Sequence, residues 1–429
     1  MSDEPACVLA FLLLPAGRVS LPPEPGIPMS VIWIVFLAVF GACVGSFLNV
    51  VIYRLPRGQS IVFPGSHCPT CGRAIRWHDN IPLVSWLVLR CRCRWCRKPI
   101  SPRYFLIEAA TAVLLAGLYA WYFLLHLRRG AGDFALAWPM YVAHAALLCG
   151  LLAAAVVDIE HWIVPLEVCW TVSGVGLLCS AASPHSFMPR VSPAAGAMAL
   201  AAAAGLVLAM LMVRYGLIRR SFIDAQEKPL PAEAPGHGSV SKPRAGQPSS
   251  KRKPVLEPYS KAHGVNPRLE VLREVLFLAP SLVLAGLAYL LVARVEAVGD
   301  VWRRIAGEGA GAVAVHFRAL LASLFGYLLG GLWIWGARIV GTLAFGKEAM
   351  GMGDVHLMAA VGAVTGWIVP SVAFFVAPFM GLLWALYLLA SRNQRQLPYG
   401  PWLAAGTLVV MLFYDRFREF LAPFADALR

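Results

Sequence analysis

Long apolar blocks dominate this chain and leave it few ways to fold. Runs such as Ser30 to Tyr53, Tyr104 to Leu127 and Ala135 to Val157 reach the roughly 20 residues that an α-helix needs to cross hydrocarbon. Inside a bilayer each backbone amide must be satisfied within its own helix or a closed barrel, so repeated blocks of this length predict a helical bundle. The composition agrees, with 59% hydrophobic and only 14% charged residues among 429. A formal charge of +14 could suggest a nucleic-acid partner. The Lys and Arg instead fall mostly in two polar segments between apolar blocks, as expected for a polytopic protein whose basic loops stay cytoplasmic and whose partner is the bilayer, with no nucleic acid.

The chain divides accordingly. Residues 1–28 form an N-terminal extension with a short apolar run, Val8 to Leu14, followed by prolines; it reads either as a signal segment or as a start misassigned upstream of Met29. Residues 29–53 make the first transmembrane helix, and 54–103 are polar and basic. Residues 104–182 hold three further spans. Residues 183–318 add two spans, about 194–213 and 271–292, around a Pro-, Lys- and Ser-rich stretch (214–273) that reads as a disordered cytoplasmic loop. Residues 319–429 complete the bundle. The expectation is an all-α polytopic membrane protein with about ten crossings. Alternating the crossings places Asp158, the 214–273 loop and Asp354 on the cytoplasmic side.

Five of the ten cysteines crowd between Cys68 and Cys96. The pairs Cys68-Pro69-Thr70-Cys71 and Cys93-Arg94-Trp95-Cys96 have the spacing of two knuckles that place four thiolates tetrahedrally around a structural zinc ion. Metal would order a segment too small to bury a core of its own. A set of reduced thiols is the alternative, and Cys91 could compete as a ligand.

Two carboxylates stand where burial is costly. Asp354 closes Gly351-Met352-Gly353-Asp354 within an apolar region, and Asp158 closes the apolar run ending at Val157. Gly351 and Gly353 would let another backbone approach and the chain turn sharply. Two aspartates facing each other cannot both ionise readily, so one proton is shared. Such a pair can activate water while polarising a carbonyl, as in aspartic peptidases. Helix dipoles suggest a division of labour: Asp354 at a helix start would be the ionised base, and Asp158 at a helix end the protonated acid. Glu108 either snorkels or faces a polar site. His161 and His356 lie near the aspartates without forming a ligand pattern. The alternative from another class is a transporter or zinc-bearing scaffold whose aspartates carry protons or ions.

The run Gly45-Ser46-Phe47-Leu48-Asn49 through Pro56, the cysteine pairs flanking Trp77 to Trp86, the stretch Pro99 to Tyr104 with Glu108, and Gly351-x-Gly353-Asp354 together resemble the type IV prepilin peptidases. The matches cover residues 29–182 and 319–417. The resemblance implies cleavage of prepilins or type II secretion pseudopilins after a leader glycine by Asp158 and Asp354, in a bacterial inner membrane. It also implies N-methylation of the new terminus with S-adenosylmethionine, for which the sequence indicates no binding residues. Three features depart from the family pattern: Leu166 and Glu167 follow Pro165 where the family has Asp, His356 replaces a Lys, and the region from Ala194 to Val292 has no counterpart in eight spans.

Overall fold

The computed structural model describes residues 28–182, 188–219, 266–306, 311–392 and 398–427. The N-terminal extension apart from Pro28 and most of the 214–273 stretch lie outside the described residues. The described chain is helical: α1 (Met29–Arg54), α2 (Val84–Val88), α3 (Pro102–Tyr119, continued by a wide turn Ala120–Leu124), α4 (Phe134–His161), α5 (Leu166–Ala182), α6 (Pro193–Arg214), α7 (Pro267–Arg294), α8 (Glu296–Ala306), α9 (Ala312–Phe345), α10 (Met352–Thr365), α11 (Ile368–Arg392), α12 (Gly400–Leu412) and α13 (Tyr414–Ala427). It is an all-α polytopic membrane protein with the cysteine segment between its first two spans.

The expected ten crossings are corrected to seven: among the described residues, α1, α3, α4, α6, α7, α9 and α11 are long and apolar enough to span. The other three apolar helices, α5, α10 and α12, have 17, 14 and 13 residues. At 1.5 Å per residue they reach only about 20 to 26 Å, short of a hydrocarbon layer of about 30 Å. Apolar composition alone hid this, because a short helix wrapped by longer ones is as apolar as a span. Every residue from Gly353 to Thr365 except His356 is in fact buried.

Glycines set how closely these helices approach. A methyl group at Gly362 of α10 would lie 1.9 Å from the carbonyl oxygen of Gly326 in α9, and one at Gly330 would lie 2.3 Å from that of Met358. The small-xxx-small pair Gly326 and Gly330 thus lets α9 and α10 touch backbone to backbone. On α1, Gly41 and Gly45 meet α3 at Thr111, Ala112 and Glu108 in the same manner. The most central span is α4, 67% of whose apolar window is buried, against 17% for the peripheral α7.

Local start signals act as their chemistry dictates. Ser101 caps α3 by accepting the Arg103 amide, and Asn266 caps α7 by accepting the Arg268 amide at 3.0 Å. The region after Val292, expected as a loop to Phe317, contains the amphipathic helix α8. Its Trp302 indole donates to the Pro193 carbonyl at 2.6 Å. At the chain's end, α13 is likewise amphipathic and is held by Arg128, whose guanidinium lies 3.3 Å from the Tyr414 ring centre.

Candidate active site and cysteine cluster

The two cysteine pairs fold as equivalent knuckles. In the first, the Cys68 amide donates to the Arg73 carbonyl and the Gly72 amide to the Cys68 carbonyl, both at 2.9 Å. In the second, the Cys93 amide donates to Lys98 at 2.9 Å and the Arg97 amide to Cys93 at 3.0 Å. The residue after each second cysteine is left-handed, with φ of 69° at Gly72 and 59° at Arg97. Trp95 of the second knuckle carries the guanidinium groups of Arg73 and Arg76 over its ring, at 4.9 and 5.0 Å.

The Sγ atoms of Cys68, Cys71, Cys93 and Cys96 all lie within 4.8 Å of one another, and those of Cys68 and Cys96 are 3.9 Å apart. A tetrahedral zinc site with Zn–S bonds of about 2.3 Å has sulfur–sulfur edges of about 3.8 Å, so the donor set fits that ion. Backbone amides of Cys96 and Trp95 pull the Cys93 thiol down to about 7, toward the thiolate that binds metal. Cys91 stands outside the group, its amide donating to the Trp86 carbonyl and its carbonyl accepting from Ile100.

Glu108 does not snorkel. It is buried in α3, and its Oε2 accepts the amide of Leu83 at 2.8 Å, latching the cysteine segment onto the membrane helix. Leu83 has φ of 62°, a conformation an L-residue adopts only when its surroundings hold it there.

The aspartates lie within electrostatic reach of each other, and the Arg103–Glu160 pair puts the Asp158 end of α4 beside this segment. Asp158 lies within the last turn of α4 rather than beyond it, since the helix continues to His161 and is closed by left-handed Trp162, whose amide donates to the Asp158 carbonyl. Two residues on, Glu160 pairs with Arg103 at the mouth of α3 at 2.7 Å, fixing this end of α4 beside the cysteine segment. Asp354 occupies the first turn of α10. Both carboxylates are buried, at 6% and 8% exposure, and Asp158, Arg338 and Tyr399 all act electrostatically on Asp354 or feel its charge.

A residue that the sequence did not single out completes the pair. The Gly400 amide, at the start of α12, donates to Asp158 Oδ2 at 2.9 Å, and a methyl group at Gly400 would press to 2.8 Å from that oxygen. Both aspartates therefore face a helix N-terminus, which offsets the dipole asymmetry used to divide acid from base, and the pair is better treated as one unit. The available signal was Gly400-Pro401, a helix-start dipeptide, but nothing in it pointed to Asp158. His356 faces away, edge-on to Trp170 at 6.3 Å. It borders a cavity of about 1050 Å³ between α6, α7, α9 and α10 that reaches Met352 and has Arg214, Arg219 and Arg273 in its wall.

Buried carboxylates from two helices of a polytopic bundle, Asp158 and Asp354, make this the candidate site, and the comparisons show which family carries it. Residues 39–123 match the family model described as "Bacterial Peptidase A24 N-terminal domain". The chain is 49% identical over 142 residues to a "Prepilin leader peptidase/N-methyltransferase" of Myxococcus xanthus, covering 33% of this chain and 38% of that one. It is 35% identical over 188 residues to a protein of the same name from Klebsiella pneumoniae, covering 42% and 76%. A third of that name, from Pseudomonas aeruginosa, is 24% identical over 411 residues, covering 90% and 92%. The chain thus spans less than half of the Myxococcus relative and three quarters of the Klebsiella one. No solved structure matches. The chain belongs to the prepilin leader peptidase/N-methyltransferase family.

Proposed function

We propose that this protein is a membrane aspartic endopeptidase that removes the leader from prepilins or pseudopilins at the cytoplasmic face, with Asp158 and Asp354 as its catalytic pair. The observation that carries this reading is the burial of both carboxylates within electrostatic reach of each other, with the Gly400 amide on Asp158. In the reaction, the ionised member of the pair takes a proton from water as the water oxygen adds to the scissile carbonyl, while the protonated member donates its proton to the carbonyl oxygen. As the C–N bond breaks, the proton gained by the first aspartate passes to the leaving amine, the second aspartate takes a proton back from a hydroxyl of the tetrahedral diol as the new carboxyl group forms, and the pair returns to its shared-proton state.

The cytoplasmic side is supported by the Arg103–Glu160 pair, which ties the aspartate end of α4 to the basic segment between α1 and α3. Such a segment is retained on the cytoplasmic side. Cys68, Cys71, Cys93 and Cys96 would hold a zinc ion that orders this segment and takes no part in peptide hydrolysis. A second activity, N-methylation of the new terminus from S-adenosylmethionine, is proposed on the relatives' printed name alone.

Co-expression with a prepilin followed by mass spectrometry of the product tests both activities, because loss of the leader and gain of a methyl group are read together. Asp158→Asn and Asp354→Asn are each expected to slow cleavage by about 1,000-fold or more while the protein still inserts. Leader removal at the unmodified rate by either variant would refute the pair.

A further inference from the structure

The turn that delivers Asp354 is held from below by one face of α9. Gly346 (φ 64°) ends that helix in a left-handed turn, and the chain doubles back over its last turns. Arg338 and, one turn further on, the adjacent Gly341 and Thr342 receive three consecutive turn residues. Thr342, fully buried, accepts the Ala349 amide at 3.3 Å through its hydroxyl. Gly341 leaves the room that Ala349 occupies, since a methyl group there would lie 2.7 Å from the Ala349 side chain. Arg338 donates from Nη1 to Glu348 Oε1 at 2.9 Å and to the Met350 carbonyl, the residue just before Gly351.

Arg338 is 1% exposed, and a guanidinium at that depth persists only with matched partners. Its Nε donates to Glu274 Oε1 at 3.0 Å, and the other oxygen of Glu274 accepts the Trp335 indole at 2.9 Å. Glu274, also 1% exposed, belongs to α7, within the 194–292 region that has no counterpart in the family's eight-span pattern. The carboxylate thus comes from the peripheral α7 and the guanidinium from α9. That guanidinium in turn grips the catalytic turn and places a positive charge within reach of Asp354.

We propose that Glu274 and Arg338 are positioning residues for Asp354, so that the additional helix pair α6 and α7 works as a brace for the catalytic turn. Glu274 sets the rotamer of Arg338, and Arg338 fixes residues 348–350 and with them the entry into α10. This rests on the reading of Asp354 as catalytic, and the experiment separates the two.

The test measures cleavage kinetics and amide hydrogen exchange on the full chain in detergent. Glutamine at 274 keeps one of the two acceptor oxygens and sets an NH2 donor where the other stood, so that it faces a donor of Arg338 or Trp335. Glu274→Gln is therefore expected to lower kcat by about 10- to 100-fold, the worth of one hydrogen bond to a charged group, with KM within about twofold. Arg338→Lys, which reaches fewer acceptors, should lower kcat by on the order of 100-fold. Removing the indole donor relieves the mismatch, so the double variant Glu274→Gln/Trp335→Phe should regain activity over Glu274→Gln. Exchange should quicken over residues 346–354 and remain unchanged around Gly326 and Gly362. Native kcat with native exchange in Glu274→Gln, or exchange that quickens uniformly through the bundle, would overturn the proposal. If Asp354→Asn were instead found active, the catalytic reading would fall, and the local exchange pattern would still report whether the brace holds the turn.

Discussion

The cysteine segment and the aspartate pair are built on opposite plans. Cys68 and Cys96 face each other across 28 positions, whereas the Gly400 amide reaches Asp158 across 242. The first site is made by two short copies of one turn and the second by the ends of separate helices. A local site depends on its own turns, and a dispersed one depends on every interface that aligns its helices. Substitutions far from the chemistry should therefore damage the aspartate pair and spare the cysteine cluster, while the converse should hold for changes within the knuckles.

The largest effect is expected at the α9–α10 crossing. Gly362→Leu places a side chain where even a methyl group would meet the Gly326 carbonyl at 1.9 Å, so the helices must part. A cost of about 3 kcal/mol or more is expected, at the top of the overpacking range, with loss of cleavage. Thermal unfolding and zinc analysis on the same sample would check it, the zinc remaining near one per chain. Loss of both together would show that the two sites are not independent.

Next comes Cys68→Ser, expected to reduce bound zinc from about one ion per chain to well below one and to open residues 54–103 to protease, with the helical signal of the bundle kept. Cys91→Ser should leave the metal content unchanged, and a loss there would make Cys91 a ligand. Glu108→Ala should cost about 1.5 to 3 kcal/mol through the abandoned Leu83 amide, read as faster exchange at that amide. Unaltered exchange would mean that the latch contributes nothing.

The smallest effects should separate the two knuckles. Gly72 and Arg97 hold the same left-handed position, which costs an L-residue about 1 to 2 kcal/mol and glycine almost nothing. Arg97→Gly should therefore stabilise the metal-bound segment by up to about 1 kcal/mol, and Gly72→Arg should destabilise it by about the same amount. Equal responses to both exchanges would show that the strain is not carried by the backbone.

Spacing made the cysteines legible, because two Cys-x-x-Cys pairs specify their own turns. Asp158 and Asp354 were legible through the cost of an ionisable residue in apolar surroundings. Their environment was not. Gly400 is an ordinary helix-start glycine until α12 is placed against α4, and Arg338 and Glu274 lie 64 positions apart with no local pattern that joins them. The number of crossings was overestimated for the same reason. Helix α10 owes its apolar character to the neighbours that bury it, α5 and α12 are apolar yet too short to span, and hydropathy distinguishes neither case from a span.

The bond from the Leu83 amide to Glu108 also has a mechanical meaning. A domain joined to a bundle only through its two chain ends is free to swing about the line between them. Here one end is pinned by Arg54, which gathers the carbonyls of Ser60 at 2.9 Å and Pro64 at 2.7 Å, and the other by the Ser101 cap of α3. The Glu108 contact is a third point lying off that line, and three such points leave no axis to swing on. The cysteine segment is therefore fixed in orientation to α3, and the Arg103–Glu160 pair joins the start of that helix to the end of α4 that carries Asp158.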